Sequence, residues 1–193
     1  HFLIGTLHRE LAVHGTSLPV AQLQLRGERF ATFAVVADGV GGSAGGAAAS
    51  QRAVEAIAHY VQSTLRCFST ADPAHEPGFV EALRGAALEA HRAVRALGSD
   101  GEEVGPATTL TLAIGVWPRA YVLQVGDSRC YVFGDGVLRR LTRDQTVAQD
   151  FIDSGALSPA EAARSPYQNV LASAIGRPTA AAVPIARRKG TRH

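Results

Sequence analysis

One stretch constrains the fold more than any other: a short apolar run that ends in a carboxylate and is followed by glycines. Residues 34–46 read AVVADGVGGSAGG. An apolar run of this kind is typical of a buried strand, and Asp38 lies at its end. Gly39, Gly41 and Gly42 allow a sharp turn and the close approach of a ligand to the main chain. Taken alone, such a stretch is most often an ordinary strand-to-helix turn, so the rest of the chain decides whether it is more.

Length and composition indicate a globular domain. The chain has 193 residues, of which 46% are hydrophobic and 19% are charged, and this is enough for one domain with a full core. The formal net charge of +2 is too small to favour nucleic acid or an anionic membrane as a partner, and no apolar run approaches the length of a membrane span. Cys67 and Cys130 lie far apart in the sequence, which fits reduced thiols. We expect a cytoplasmic monomer.

Hydrophobic periodicity predicts strands first, then two long helices, then more strands and short helices. The predicted elements, in chain order, are an antiparallel strand meander within residues 1–37, helices over 43–66 and 79–97, strands over 109–116 and 120–125, a hairpin about residues 134–136, and short helices over 146–154, from 158, and over 169–175. Strands joined by hairpins, with helices packed outside, favour an α+β layered domain. Residues 177–193 show no periodicity and are expected to form an irregular tail.

A second predicted strand also ends in a carboxylate beside glycine, at Gly126-Asp127-Ser128. Carboxylates at strand ends suit hard divalent cations, so Asp38 and Asp127 are compatible with a Mg²⁺ or Mn²⁺ site. Composition alone does not distinguish such a site from two turn aspartates. A nucleotide phosphate on the glycine loop is less favoured, because the loop has neither the Gly-Lys-Ser/Thr ending of a P-loop nor the dinucleotide fingerprint. The histidines and cysteines show no zinc-ligand spacing.

Five segments, in order, resemble the signature motifs of the metal-dependent protein phosphatases (the 2C or PPM type) in their bacterial form. The segments are Val35–Gly42 with Gly45 and Ala49-Ser50, Ala107-Thr108-Thr109-Leu110, Val125-Gly126-Asp127-Ser128-Arg129, Leu141-Thr142-Arg143-Asp144-Gln145, and the pieces between Gly155 and Gly176. Each segment alone is weak evidence, but five in the family's order make a specific match.

The resemblance implies an α+β fold of four layers, an α-β-β-α sandwich in which helices flank two antiparallel β-sheets, over residues 1–176. It also implies hydrolysis of phosphoserine and phosphothreonine in proteins, such as the products of a serine/threonine kinase, by a water that bridges two Mg²⁺ or Mn²⁺ ions. By position, Asp38 is the carboxylate that bridges both ions, Gly39 offers its carbonyl, and Asp127 helps to hold a third ion. Position 40 is Val, so no histidine is present there as a general acid.

The sequence departs from the family pattern at the remaining metal ligands. The family carries an acidic pair upstream, preceded by an arginine that grips the phosphate. The best register here is His14–Leu18, which has no carboxylate. Leu11 falls near the arginine position, and Arg9 is two residues away from it. Two further aspartates belong near the family's C-terminus, whereas the last acid here is Glu161, so we expect a C-terminally truncated sequence. Two hypotheses follow: a protein phosphatase that is impaired in this chain, or a catalytically inactive phosphatase-like module that binds or regulates.

Overall fold

The structure, a computed structural model, describes residues 1–7, 11–17, 31–41, 44–64, 76–98, 105–116, 119–178 and 185–189. The strands found within these ranges are β1 (Phe2–Leu7), β2 (Leu11–Thr16), β3 (Ala31–Val36), β4 (Leu110–Val116), β5 (Arg119–Val125), β6 (Tyr131–Gly134), β7 (Val137–Arg140) and β8 (Ile185–Lys189). The helices are α1 (Ala44–Thr64), α2 (Glu76–Arg95), α3 (Val147–Asp153) and α4 (Pro159–Ala162). None of these helices has the length and apolar character needed to cross a membrane.

Six strands form one antiparallel sheet in the order β2-β1-β3-β4-β5-β8, and β6 pairs with β7 in a separate hairpin. The predicted order of the N-terminal meander is wrong, because β3 lies between β1 and β4 in the sheet. The sequence FLIGTL of β1 is more apolar than LAVHGT of β2, so β1 takes the inner position. Fourteen residues separate β2 from β3, far more than a tight hairpin turn requires.

The core lies between the helix pair and one face of the large sheet. Side chains alternate across a strand, and in β3 Phe33 and Val35 are buried while Val36 is exposed. Ile57 of α1 and Leu83 of α2 belong to the same buried cluster, and each is almost completely shielded from solvent. Full burial of such a side chain stabilises the fold by about 1.5–3 kcal/mol relative to exposure. The helix pair therefore anchors the strands that carry the sequence motifs.

The predicted α+β fold with antiparallel sheets and flanking helices is confirmed. Within the described ranges, the second sheet consists of the β6–β7 hairpin, at the turn that the sequence predicts. The face of the large sheet opposite α1 and α2 leaves Phe2 and Ile4 exposed at 41% and 49%, and the hairpin exposes Phe133 at 70%. Helices α1, α2 and α3 match the predicted helices to within a few residues. The sequence also has an alternating run typical of a strand at Val20–Leu25 and a serine suited to cap α1 at Ser43, and both lie outside the described residues.

Two predictions near the C-terminus are wrong. Residues 169–175 form no helix, because their backbone groups pair with distant segments: Ala172 N–H donates to the Gln145 carbonyl, and Ile175 pairs with Thr108. The predicted irregular tail includes a strand, β8, which extends the sheet beyond β5. Backbone pairing with the free edge of β5 compensates for the absence of any hydrophobic periodicity in this segment. The division of the chain at residue 176 stays a prediction.

Candidate metal centre

Asp38 is held by its backbone, and its side chain is left free. Its carbonyl accepts hydrogen bonds from the Thr109 N–H (2.8 Å) and the Thr108 hydroxyl (2.9 Å), and its own N–H donates to Thr109 Oγ1 (3.0 Å). The Asp38 side chain is exposed and makes no hydrogen bond or ion pair with the residues that the structure describes. The Thr-Thr pair that precedes β4 therefore fixes the position of this carboxylate without neutralising it.

The loop after Asp38 lies directly on the first turn of α1. A Cβ at Gly39 would collide with the Gly46 carbonyl oxygen, and a Cβ at Gly46 would lie 2.8 Å from the Val40 carbonyl oxygen. The Ala- and Gly-rich start of α1 permits this close contact because it has no large side chain there. The Gly39 carbonyl accepts no backbone hydrogen bond from the described part of the chain, so its oxygen is available to a ligand.

The turn that carries Asp127 is tied to the Asp38 loop. Gly126 has a φ of +100°, and a Cβ there would lie 2.8 Å from Thr109 Cγ2, so glycine is required at this turn. Ser128 Oγ lies 2.7 Å from Thr109 Oγ1. Because Thr109 Oγ1 accepts the hydrogen of the Asp38 N–H, its own proton is free to bond Ser128. One hydrogen-bonded chain therefore links the two carboxylate loops.

The Leu-Thr-Arg-Asp-Gln segment supports this turn from behind. Gln145 Oε1 accepts from the Gly126 N–H (2.8 Å), and the Gln145 N–H donates to the Gly126 carbonyl (3.1 Å). Asp144 accepts three hydrogen bonds from Arg129, two of them from Nε, and also pairs with Arg140. Hydrogen bonds from its guanidinium to Asp144 raise the pKa of Arg129. The motifs that are separated in sequence therefore form one connected scaffold.

The three predicted metal ligands meet at one open cleft. Asp38, Gly39 and Asp127 all line a cavity of about 410 Å³ at the end of the sheet. The Asp127 side chain, like that of Asp38, has no hydrogen-bond or ion-pair partner within the described ranges. Two unpaired carboxylates and a free carbonyl oxygen facing one cleft are the donor set of a hard divalent cation.

The donors present fit one divalent ion better than two. Mg²⁺ is commonly held by one or two carboxylates and keeps several waters. The described residues contain no group of three or more His, Cys, Asp or Glu side chains that could hold a metal ion. Residues 14–17, the register of the family's acidic pair, do not line the cleft, and His14 instead bonds Thr6 within the β1–β2 pair. Two dications at this cleft would share little neutralising charge.

Sequence reasoning missed two residues near the cleft. Arg177, assigned to the tail, lines the cleft beside Asp38 and Asp127. His91 of α2 is partly buried, and its Nδ1 accepts a hydrogen bond from the Gly176 N–H at 3.2 Å. Burial and the nearby Arg95 lower the pKa of His91. The positions of Arg177 and His91 depend on contacts between distant parts of the chain, and no local pattern in the sequence predicts them.

Comparison with known proteins identifies the class to which this fold and cleft belong. The family model described as protein phosphatase 2C matches residues 22–163. The chain therefore belongs to the protein phosphatase 2C family, and its resemblance to the bacterial members is confirmed.

Among curated relatives, the serine/threonine protein phosphatase PstP of Mycobacterium tuberculosis is 32% identical over 148 residues, which cover 75% of this chain and 26% of PstP. The serine/threonine phosphatase stp of Listeria monocytogenes is 29% identical over 144 residues, which cover 74% of this chain and 54% of that protein. The chain thus spans between about a quarter and a half of the length of these relatives.

Solved structures agree on the fold. The serine/threonine phosphatase of S. agalactiae superposes with a TM-score of 0.71 at 22% identity, over 83% of this chain and 64% of that chain. The catalytic domain of PstP in complex with two manganese ions superposes with a TM-score of 0.62 at 24% identity, over 99% of this chain and 74% of that chain. The antiparallel sheets and flanking helices described above are therefore those of the protein phosphatase 2C fold.

Proposed function

We propose that this chain carries part of the active site of a metal-dependent phosphatase, which hydrolyses phosphoserine and phosphothreonine in proteins with Mg²⁺ or Mn²⁺. One observation carries the proposal: the unpaired carboxylates of Asp38 and Asp127 and the free carbonyl of Gly39 converge on one cleft. The names of the relatives support the reaction, and the manganese-bound neighbour supports the choice of metal. Its substrates would be phosphorylated proteins, including those made by a serine/threonine kinase, and it would act in the cytoplasm as a monomer.

The residues that line and support the cleft have separate roles in metal binding. Asp38 and the Gly39 carbonyl would hold the divalent ion from one loop of the cleft, and Asp127 would contribute a carboxylate from the neighbouring loop. When bound, the metal supplies a water of lowered pKa and neutralises charge on the phosphoryl oxygens. The bonds from Thr108 and Thr109 fix the Asp38 backbone in advance, so little reorganisation is needed on binding. Val40 has no ionisable side chain, and no side chain is assigned as general acid.

We further propose that catalysis is impaired in this 193-residue chain. There is no acidic residue between Glu10 and Glu28. The family's upstream acidic pair therefore has no counterpart in this part of the sequence. Fewer carboxylates leave two closely spaced dications with little compensating charge, so we expect affinity for the second ion to fall steeply.

A second candidate is a catalytically inactive phosphatase-like module that binds or regulates. The observation that favours this second candidate is that the hydrogen-bonded scaffold of the cleft is complete, whereas acidic metal ligands of the family are missing. The hydrogen bonds that connect Asp38, Thr109, Ser128 and Gln145 are all formed, whereas the register of the acidic pair, residues 14–17, holds no carboxylate. A fold with this scaffold can bind a phosphoprotein at the cleft without hydrolysing its phosphate.

Hydrolysis of p-nitrophenyl phosphate by the 193-residue chain, with and without Mn²⁺, separates these possibilities. The variant is Asp38→Ala, and the matched control is Asp150→Ala, which removes an exposed carboxylate of α3 away from the cleft. We expect little or no Mn²⁺-dependent turnover by the unmodified chain. Clear turnover that is lost in Asp38→Ala and kept in Asp150→Ala would refute the impairment and support an active phosphatase. Mn²⁺-dependent turnover that is clearly above the metal-free rate and equal in all three proteins would contradict the assignment of the site itself.

A further inference from the structure

We propose that Arg177 binds the phosphoryl group of the substrate in this chain, in place of the arginine that the family carries upstream. The inference rests on the proposed function, because it assigns a role within the same cleft. It starts from the charges of that cleft. Among the described residues that line it, Asp38 and Asp127 are the anions and Arg177 is the cation. A cleft built to hold a cation and a phosphate needs both signs of charge.

The Arg177 side chain is available for an anionic ligand. It is partly buried, and it makes no hydrogen bond or ion pair with the residues described in the structure. Other arginines near the motifs are already engaged, since Arg129 and Arg140 both pair with Asp144. A guanidinium presents a planar fork of N–H donors that matches two oxygens of a phosphate.

The backbone that carries Arg177 is fixed to the same residues that fix Asp38. Ile175 exchanges two backbone hydrogen bonds with Thr108 (2.9 and 3.1 Å), and the Thr108 hydroxyl in turn donates to the Asp38 carbonyl. The next residue, Gly176, donates its N–H to His91 Nδ1 at 3.2 Å. Hydrogen bonds to one residue, Thr108, therefore position both the segment that carries Arg177 and the backbone of Asp38. The distance between the two side chains does not depend on a long loop.

The upstream part of the chain offers no competing arginine within the described residues. In the family register the phosphate-gripping arginine would fall near position 11, which is Leu in this sequence. Leu11 belongs to β2, which β1 separates from β3 and its Asp38 loop. A cation placed at 177 supplies the missing positive charge to the cleft.

The test is a calorimetric titration of the full 193-residue chain with inorganic phosphate, in the presence and absence of Mg²⁺. The variants are Arg177→Ala and Arg177→Lys, and the control is Arg164→Ala, which removes an exposed arginine that does not line the cleft. We expect Arg177→Ala to weaken phosphate binding by about ten- to a hundredfold, the usual worth of a hydrogen bond to a charged group. Lysine keeps the charge without the fork, so Arg177→Lys should fall between Arg177→Ala and the unmodified chain.

The outcomes separate the role of Arg177 from the proposed function. Unchanged phosphate affinity in Arg177→Ala, an equal loss in Arg164→Ala, or no phosphate binding by the unmodified chain would overturn the inference. Mg²⁺ affinity is measured on the same samples, with Asp38→Ala as the reference for loss of the metal site. If Asp38→Ala leaves Mg²⁺ binding unchanged, the proposed function fails, whatever Arg177 does. If Asp38→Ala abolishes Mg²⁺ binding while Arg177→Ala has no effect on phosphate, the inference about Arg177 fails alone.

Discussion

Replacement of Gly46 by alanine tests whether the contact between α1 and the Asp38 loop holds the metal site in place. Gly46 is buried in the first turn of α1, and an added Cβ would lie 2.8 Å from the Val40 carbonyl oxygen and 3.1 Å from the Gly39 carbonyl carbon. Ordinary contact begins at 3.4 Å, so the loop must retreat by about 0.6 Å. The atoms that must move are backbone atoms of the residues next to Asp38.

Two opposing effects set the magnitude. Gly→Ala within a helix stabilises it by about 0.5–1 kcal/mol, whereas overpacking a tight contact costs about 1–3 kcal/mol. The free energy of unfolding of Gly46→Ala should therefore fall by roughly 0.5–2 kcal/mol. Gly85→Ala on α2 is the matched control, because its Cβ meets the hydroxyl end of the Tyr60 side chain, which can rotate away. That control should be neutral or stabilised by up to about 1 kcal/mol.

The assay is urea unfolding followed by circular dichroism, combined with a Mn²⁺ titration of the folded protein. Gly46→Ala should lose stability relative to Gly85→Ala and bind Mn²⁺ more weakly, because the displaced backbone carries the Gly39 carbonyl and Asp38. If Gly46→Ala is as stable as Gly85→Ala and keeps the affinity for Mn²⁺ of the unmodified chain, the contact does not position the site and the reasoning is refuted.

Two further substitutions test the scaffold. Thr109→Val removes the hydroxyl that accepts the Asp38 N–H, so it should lower the free energy of unfolding by about 1–3 kcal/mol, while Thr109→Ser, which keeps the hydroxyl, should lose less; equal losses in urea unfolding would argue against the hydrogen bond. For His91, burial lowers the pKa in the folded state, so its contribution to stability is present above the ordinary pKa of 6.5 and is lost as the pH falls below it. His91→Gln, which offers a neutral acceptor to the Gly176 N–H, should reduce the decline in melting temperature between pH 7.5 and pH 5.5, and an unchanged decline would contradict this assignment.

Local patterns in the sequence predicted the parts of the fold that depend on neighbouring residues. Along β3, the buried side chains of Phe33 and Val35 alternate with more exposed ones. The two-residue period of apolar side chains in the sequence predicts this alternation. The short helix predicted from residue 158 begins there, and a capping box between Ser158 and Glu161 stabilises its start because both groups lie within one helical turn. The Asp38 loop was recognisable because Gly39 and Gly46 are required by a local contact.

The remaining features depend on contacts between distant residues. The position of β1 between β2 and β3 depends on which strands pair across the sheet, and the greater apolarity of β1 explains that position only once the pairings are known. Residues 169–175 have the composition of a helix, yet the hydrogen bonds of Ile175 to Thr108 prevent one. Arg177 follows a segment without periodicity, and its place in the cleft is visible only when Gly176 is seen to bond His91. The sequence therefore predicted the two carboxylates of the candidate site, Asp38 and Asp127, but not its cation, Arg177.

The most direct test of the central claim is a Mn²⁺ titration of the 193-residue chain and of Asp38→Asn, with Asp150→Asn as the control. Asparagine keeps the size of the side chain and removes the charge that a hard cation requires. The unmodified chain and Asp150→Asn should bind a single Mn²⁺ ion with equal affinity, and Asp38→Asn should lose that binding while its melting temperature without metal stays unchanged. Equal Mn²⁺ affinity in all three proteins would contradict the assignment of this cleft as a metal centre.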